Sequence, residues 1–224
     1  MRLFRRSLVP CLAVLLASVP VAAQTVATPH DAHRMHGNSA AYIAALEDPA
    51  RDAWQKPHEV VVALDLKPGE TVADIGAGSG YFALRFARHV GAEGRVYAVD
   101  VSRDMLAHLE RQAAEAKLAN VRTIAAPPDD PQLPEGSIDR VFFCDVWHHI
   151  DDQAGYLAKL KKALRPGGQV VMIDFHKRDL PVGPPVSMKI AREVLLTEMA
   201  AHGFRLVKEH TFLPYQYFLM FEVK

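Results

Sequence analysis

Between residues 67 and 175, short apolar runs alternate with stretches whose apolar residues recur every three or four positions. The first spacing suits buried strands and the second suits helices packed by one face. It predicts strands at Thr71–Ile75, at Arg95–Val99 closing on Asp100, at Val121–Ala125, at Arg140–Cys144 and at Gln169–Phe175. Between them fall three helices: Tyr81–Val90, with Phe82, Ala83 and Phe86 on one face; Ser102–Lys117, capped by Ser102 with Asp104 in its first turn; and one from an Asp151 cap to Leu164. Gly91–Gly94 and Arg165-Pro166-Gly167-Gly168 read as tight turns. Strand and helix in strict succession give, through right-handed crossovers, a parallel sheet with helices on both faces.

The pattern changes at both ends. After Phe175 come a proline-rich loop, His176–Pro185, a helix over Met188–Ala201, a turn at Gly203, and strands at Arg205–Thr211 and Gln216–Val223. These last two suggest an antiparallel pair closing an otherwise parallel sheet. Before residue 67 a short helix, Ala40–Leu46, is broken by Asp48-Pro49, and a second helix spans His58–Leu66. Trp54 lies between them as either a lid over a site or a hydrophobic staple onto the core, the staple being the commoner use of such a residue. At the start, Arg2, Arg5 and Arg6 precede an almost wholly apolar stretch from Leu8 to Val21 and the small residues Val21-Ala22-Ala23. This is the layout of a secretory signal peptide with cleavage after Ala23, and Arg5-Arg6-Ser7-Leu8-Val9 loosely matches a twin-arginine leader. The expected organisation is therefore a leader over 1–23, a polar and helical segment over 24–57, and one α/β domain over 58–224. The mature chain would be periplasmic or secreted, with no stable membrane span once the leader is gone.

Composition narrows the partners. The 224 residues are half apolar, enough for one well-buried domain, and carry 26 basic and 26 acidic side chains, which gives no case for nucleic acid. Loss of the leader removes three arginines and leaves the mature chain mildly acidic. Cys11 lies in the leader, so Cys144 stands alone and no internal disulfide can form. His30, His33 and His36 recur at every third position, a spacing that could place two of them on a metal. Without a carboxylate or cysteine to complete the set, they read instead as a solvated segment, and no metal ligands are assigned.

The chemistry concentrates at Thr71–Gly80, T-V-A-D-I-G-A-G-S-G. Glycines there let a ligand approach the backbone and permit a tight turn, and the free N–H groups of the following helix face the same space. Asp100, about 20 residues on at the end of the second strand, can accept hydrogen bonds from both hydroxyls of an unphosphorylated ribose. The spacing Gly76, Gly78, Gly80 differs from the G-x-G-x-x-G turn of dinucleotide enzymes. With V-A-D-I-G-A-G-S-G-Y-F (Val72–Phe82), V-Y-A-V-D (Val96–Asp100), S-I-D-R-V-F-F (Ser137–Phe143) and L-R-P-G-G (Leu164–Gly168) in this order, the chain resembles the class I S-adenosylmethionine-dependent methyltransferases over roughly residues 59–175. It is most similar to small bacterial methyltransferase-domain proteins with leaders.

That resemblance implies a doubly wound, seven-stranded, mostly parallel Rossmann-like sheet with a C-terminal antiparallel strand pair. It also implies S-adenosyl-L-methionine as cofactor and a small-molecule methyl acceptor of unknown identity. Gly76, Gly78 and Gly80 would lie against the amino-acid part of the cofactor, Asp74 would orient its amino group, Asp100 would hold the ribose and Val101 would neighbour the adenine. The adenine amino group would go to Asp129 or Asp130, beyond Pro127-Pro128, and Asp145 would face the sulfonium. Methyl transfer needs alignment and desolvation, and a base only if the acceptor arrives protonated. His148, His149 and His176 are the candidate bases. The competing readings are a nicotinamide-dependent oxidoreductase, which the glycine spacing and the Leu164–Gly168 stretch disfavour, and a non-catalytic periplasmic ligand- or metal-binding protein on the same fold.

Overall fold

The structure, a computed structural model, describes residues 39–224; the expected leader and cleavage point and the histidines at 30, 33 and 36 lie outside the described residues. The strands are Thr71–Ile75 (β1), Arg95–Asp100 (β2), Val121–Ala125 (β3), Ile138–Cys144 (β4), Leu164–Phe175 (β5), Phe204–His210 (β6) and Gln216–Val223 (β7). The helices are Ser39–Leu46 (α1), Asp52–Gln55 (α2), Pro57–Ala63 (α3), Ala83–Val90 (α4), Arg103–Glu115 (α5), Gln153–Ala163 (α6) and Arg192–Ala201 (α7). One seven-stranded sheet runs in the order β3-β2-β1-β4-β5-β7-β6, parallel from β3 to β5, with β7 antiparallel to both β5 and β6. This is the doubly wound sheet with a closing antiparallel pair that the sequence predicts.

Successive side chains point to opposite faces of the sheet and split the core into two layers. Val72, Phe142, Val171, Ile173, Phe218 and Met220 face one layer, beneath α3, α4 and α5; Ala73, Val141, Phe143, Val170, Met172 and Leu219 face the other, beneath α6 and α7. Phe82, Phe86 and Phe142 form an aromatic knot in the first, with Phe142 centred 4.8 Å from Phe82 and 4.9 Å from Phe86. Both faces of the central strands are therefore apolar. That is why these strands read as continuous hydrophobic runs.

Some boundaries differ from the pattern. Leu164–Gly168 is not a free turn but the first part of β5: Ile138 pairs with Leu164, the register then shifts, and Arg140 pairs with Gln169. Pro166 has no N–H to give, and Gly167 sits at φ +80°, so the extra residues bulge out of the ladder and the chain stays extended. Asp152, not Asp151, caps α6, its carboxylate accepting from Gly155 N at 2.9 Å, because Trp147–His149 first make a 3-10 turn. Among the described residues no helix is long and apolar enough to cross a membrane.

Strand order reverses between β1 and β4, so the loops leaving their carboxyl ends diverge and open a crevice there.

Candidate functional site

The turn after β1 is pinned to β2, because Gly76 N and Ala77 N both donate to the Val99 carbonyl, at 2.8 and 3.0 Å. Gly76 and Gly78 then take left-handed φ values of +69° and +52°. A Cβ on Gly76 would come within 2.4 Å of the Val146 side chain, which belongs to the loop after β4. Next, Gly78 N donates to one oxygen of Asp100 and Ser102 N to the other, each at 2.8 Å. Two backbone donors thus fix the Asp100 carboxylate on the wall of the crevice.

These groups wall a cavity of about 410 Å³ at the crevice, whose far side is supplied by the segment before β1, through Tyr42, Leu46, Arg51 and Trp54. That segment is packed onto the α/β domain. The Arg51 guanidinium lies 3.9 Å from the Tyr81 ring centroid and that of Arg85 4.2 Å, while Tyr81 Oη donates to Asp52. Buried Gln55 donates to Gln216 of β7 at 2.7 Å. Sequence reasoning gave Arg51, Tyr42 and Tyr81 no role; no local spacing marks residues that meet the site only through tertiary packing.

Asp74, Gly76, Gly78, Asp100, Val101, Asp145 and His149 all line this cavity, and Gly80 lies in the same turn, packed against Leu109. Other candidates lie elsewhere. Asp130 accepts from Gln132 N at 2.8 Å and pairs with Lys159 at 3.5 Å, and the Asp129 carbonyl takes the Lys159 ammonium at 2.6 Å; neither lines the cavity. Ala126, Pro127 and Pro128 do, making this wall apolar. His176 packs its ring against Tyr217 at 5.9 Å, away from the cavity, and burial lowers its pKa. His148 lines a second cavity instead, with Lys177, Met188 and Lys189.

The residues fit an adenosyl amino acid. The turn has no Cβ where a ligand must approach, Asp100 presents a fixed carboxylate, and Val101, Met105 and the two prolines supply an apolar slot. A general methyltransferase-domain model matches residues 72–168. A solved S-adenosylmethionine-dependent methyltransferase of Aquifex aeolicus superposes with a TM-score of 0.78 at 25% identity, covering 82% of this chain and 98% of its own. Residues 72–168 therefore match a methyltransferase domain, and over most of its length the chain is similar to an S-adenosylmethionine-dependent methyltransferase.

Curated relatives of this methyltransferase domain agree. One is the 2-phytyl-1,4-naphtoquinone methyltransferase of Trichormus variabilis, 31% identical over 50% of this chain and 49% of its own length. Another is the demethylmenaquinone methyltransferase of Listeria monocytogenes, 28% identical over 57% of this chain and 53% of its own length. The chain spans about half the length of these curated relatives.

Charge in the methyltransferase site is concentrated on buried carboxyls. Removal from water pushes the Asp74 carboxyl up to about 8, reinforced by the nearby charge of Asp100 and opposed by a hydrogen bond from the Ala83 backbone. Asp145, in a left-handed backbone conformation at φ +61°, is also raised, first by burial and then by Asp174. His148 Nδ1 lies 3.5 Å from Asp174 Oδ2; burial disfavours its imidazolium, but Asp174 and Asp145 together carry its pKa above the ordinary value. Asp145, His148 and Asp174 each place one ligand-type atom within 4.8 Å of the others. No sequence motif marked Asp174, which reaches this group because Asp145 N donates to the Ile173 carbonyl across β4 and β5. Burial also pushes the Cys144 thiol up to about 12, so it stays protonated and unreactive at neutral pH.

Proposed function

We propose that this chain transfers the methyl group of S-adenosylmethionine to a small-molecule acceptor. The observation that carries this reading is the Asp100 carboxylate clamped between Gly78 N and Ser102 N on the wall of the crevice cavity, a fixed acceptor of the kind that suits a ribose diol. When bound, the cofactor supplies a methyl group already activated by its sulfonium, so the chain's own task is to bind, orient and exclude water.

Asp74 and the backbone of Gly76–Gly80 would hold the amino-acid end, Asp100 the ribose, and Val101 with Pro127 and Pro128 the adenine. Asp145 closes the inner end of the cavity, where a carboxyl complements positive charge. Tyr42, Arg51 and Trp54 form the outer wall and keep solvent from the transfer. His149, on the cavity wall, is placed to take a proton from an acceptor that arrives protonated. The names of the relatives, two of them methyltransferases of quinone-type small molecules, support a small-molecule acceptor.

Calorimetric titration with S-adenosylhomocysteine tests the reading. Asp100→Ala should weaken binding at least tenfold, and unchanged affinity in that variant would overturn it. We also propose that the mature chain is periplasmic or secreted, because an arginine-led apolar stretch precedes Ala23. Export of the folded chain with cofactor already bound, as the Arg5-Arg6 pair permits, reconciles that location with a cofactor made in the cytosol. Fractionation with N-terminal sequencing should find Gln24 first, and an intact Met1 in the cytosolic fraction would refute the placement.

A further inference from the structure

Three side chains from two neighbouring strand ends converge in the partition between the two cavities. Asp145 follows β4 and lines the cofactor cavity, His148 lies in the 3-10 turn that follows and lines the second cavity, and Asp174 stands near the end of β5. We propose that Asp145, His148 and Asp174 bind one divalent first-row metal cation.

The geometry separates this reading from an ordinary histidine–carboxylate pair. A good N–H···O bond spans about 2.7–3.2 Å, whereas His148 Nδ1 and Asp174 Oδ2 stand 3.5 Å apart. Two ligand atoms each about 2.1 Å from a shared tetrahedral ion lie roughly 3.4 Å apart. The third group lies nearby, one ligand-type atom from each residue being within 4.8 Å of the others, so a small side-chain rotation brings all three onto one ion. Asp145 Oδ1 is shut off from solvent and has no hydrogen-bond partner among the described residues. The Asp174 and His148 side chains are each only 3% exposed. Two carboxyls held this close away from water repel one another unless a proton, a protonated His148 or a bound cation sits with them. The fixed cations that act on Asp145 are Lys189 and Arg51. Lys189 Nζ is committed to the Arg178 carbonyl at 2.8 Å, and Arg51 to the Leu46 carbonyl at 3.2 Å and to the Tyr81 ring.

Two carboxylate oxygens and an imidazole nitrogen suit manganese, iron(II) or zinc better than a soft ion. Three protein ligands leave coordination positions open in the partition between the cavities. The inference does not rest on methyl transfer, since the ion's ligands are defined whatever the cavity binds.

The test uses the full-length chain after dialysis against a chelator, titrated with Mn²⁺ by electron paramagnetic resonance and with Zn²⁺ by calorimetry. One ion should bind per chain. Asp174→Asn and His148→Gln should each weaken it at least tenfold, with S-adenosylhomocysteine affinity reporting that the fold is intact. A His30/His33/His36 triple alanine variant should still bind one ion. Absence of saturable binding, equal affinity in the asparagine and glutamine variants, or loss of the ion in the triple variant would each overturn the proposal. If both cluster variants unfold, the melting temperature of the triple variant decides. A rise with added Mn²⁺ supports the site, since an ion that binds the native state raises its stability by mass action, and no rise overturns it.

Discussion

Gln55, at the end of α2, donates its side-chain amide to the side-chain carbonyl of Gln216 at the start of β7, 2.7 Å away and out of contact with solvent. The two residues are 161 positions apart, so this bond ties the N-terminal wall of the cavity to the last strand of the sheet. Replacing Gln55 with Leu leaves the Gln216 carbonyl buried without its donor, at a cost of about 1–3 kcal/mol. Urea denaturation should show that loss at an unchanged slope, and S-adenosylhomocysteine affinity should fall too, because Arg51 and Trp54 stand on the same segment. A Gln55→Leu protein with full stability and full affinity would show that the bond holds nothing in place.

The close approach of Gly76 to Val146 makes a second prediction. Gly76→Ala must place a Cβ at φ +69° and within 2.4 Å of Val146 Cγ2. The backbone strain alone costs about 1–2 kcal/mol, and the clash adds to it. In Gly76→Ala/Val146→Ala the clash is relieved while the strain remains, so the double variant should be more stable than the sum of the single changes implies. Strict additivity in thermal melts would mean that the two loops do not meet as described.

The parts of the site that could be read from the sequence are those where the backbone itself is constrained. Gly76, Gly78 and Asp100 announce themselves because a left-handed turn and a strand-end carboxylate leave a residue-type signature within a short span. Arg51 and Tyr42 leave none, since their place on the wall depends on how α1 and α2 pack. Asp174 was missed for a related reason: it meets His148, 26 positions away, across parallel strands, and strand adjacency is a property of topology. The resemblance offers Asp129 or Asp130 for the adenine, but Pro127 and Pro128 occupy the wall, while the Asp130 carboxylate and the Asp129 backbone carbonyl engage Lys159. The fold was clearer than the site because an apolar run followed by a helical pattern is repeated along the chain, whereas each wall residue occurs once.

Trp54 combines the two roles its position suggested. It lines the cavity and packs 5.6 Å from Phe175 and 6.4 Å from Tyr215, so it is both wall and staple. The other tryptophan, Trp147, is buried in the opposite core layer and donates to Glu198 at 3.2 Å. Ligand entering the cavity should therefore alter Trp54 emission and leave Trp147 nearly unaffected. Fluorescence titration with S-adenosylhomocysteine should keep its signal in Trp147→Phe and lose it in Trp54→Phe. The reverse pattern would remove Trp54 from the wall.

Asp74 sets the pH response. Its carboxyl, ordinarily at 3.8, is raised to about 8 by burial, so between those values the native chain holds a proton that the unfolded chain has released. The native state then binds more protons, and by linkage stability falls as pH rises across that window, by about 1.4 kcal/mol per pH unit for this group, levelling off above the folded pKa. Asp74→Asn should flatten this part of the stability profile and raise stability at pH 7. The same proton reports on ligand binding. A cationic amino group held beside Asp74 favours its charged form, so binding S-adenosylhomocysteine at pH 7 should release a proton and make the calorimetric enthalpy depend on the buffer's ionisation enthalpy. That dependence should vanish in Asp74→Asn. Wild-type enthalpies that agree in phosphate and Tris would mean that Asp74 keeps its proton and does not meet the ligand's amino group.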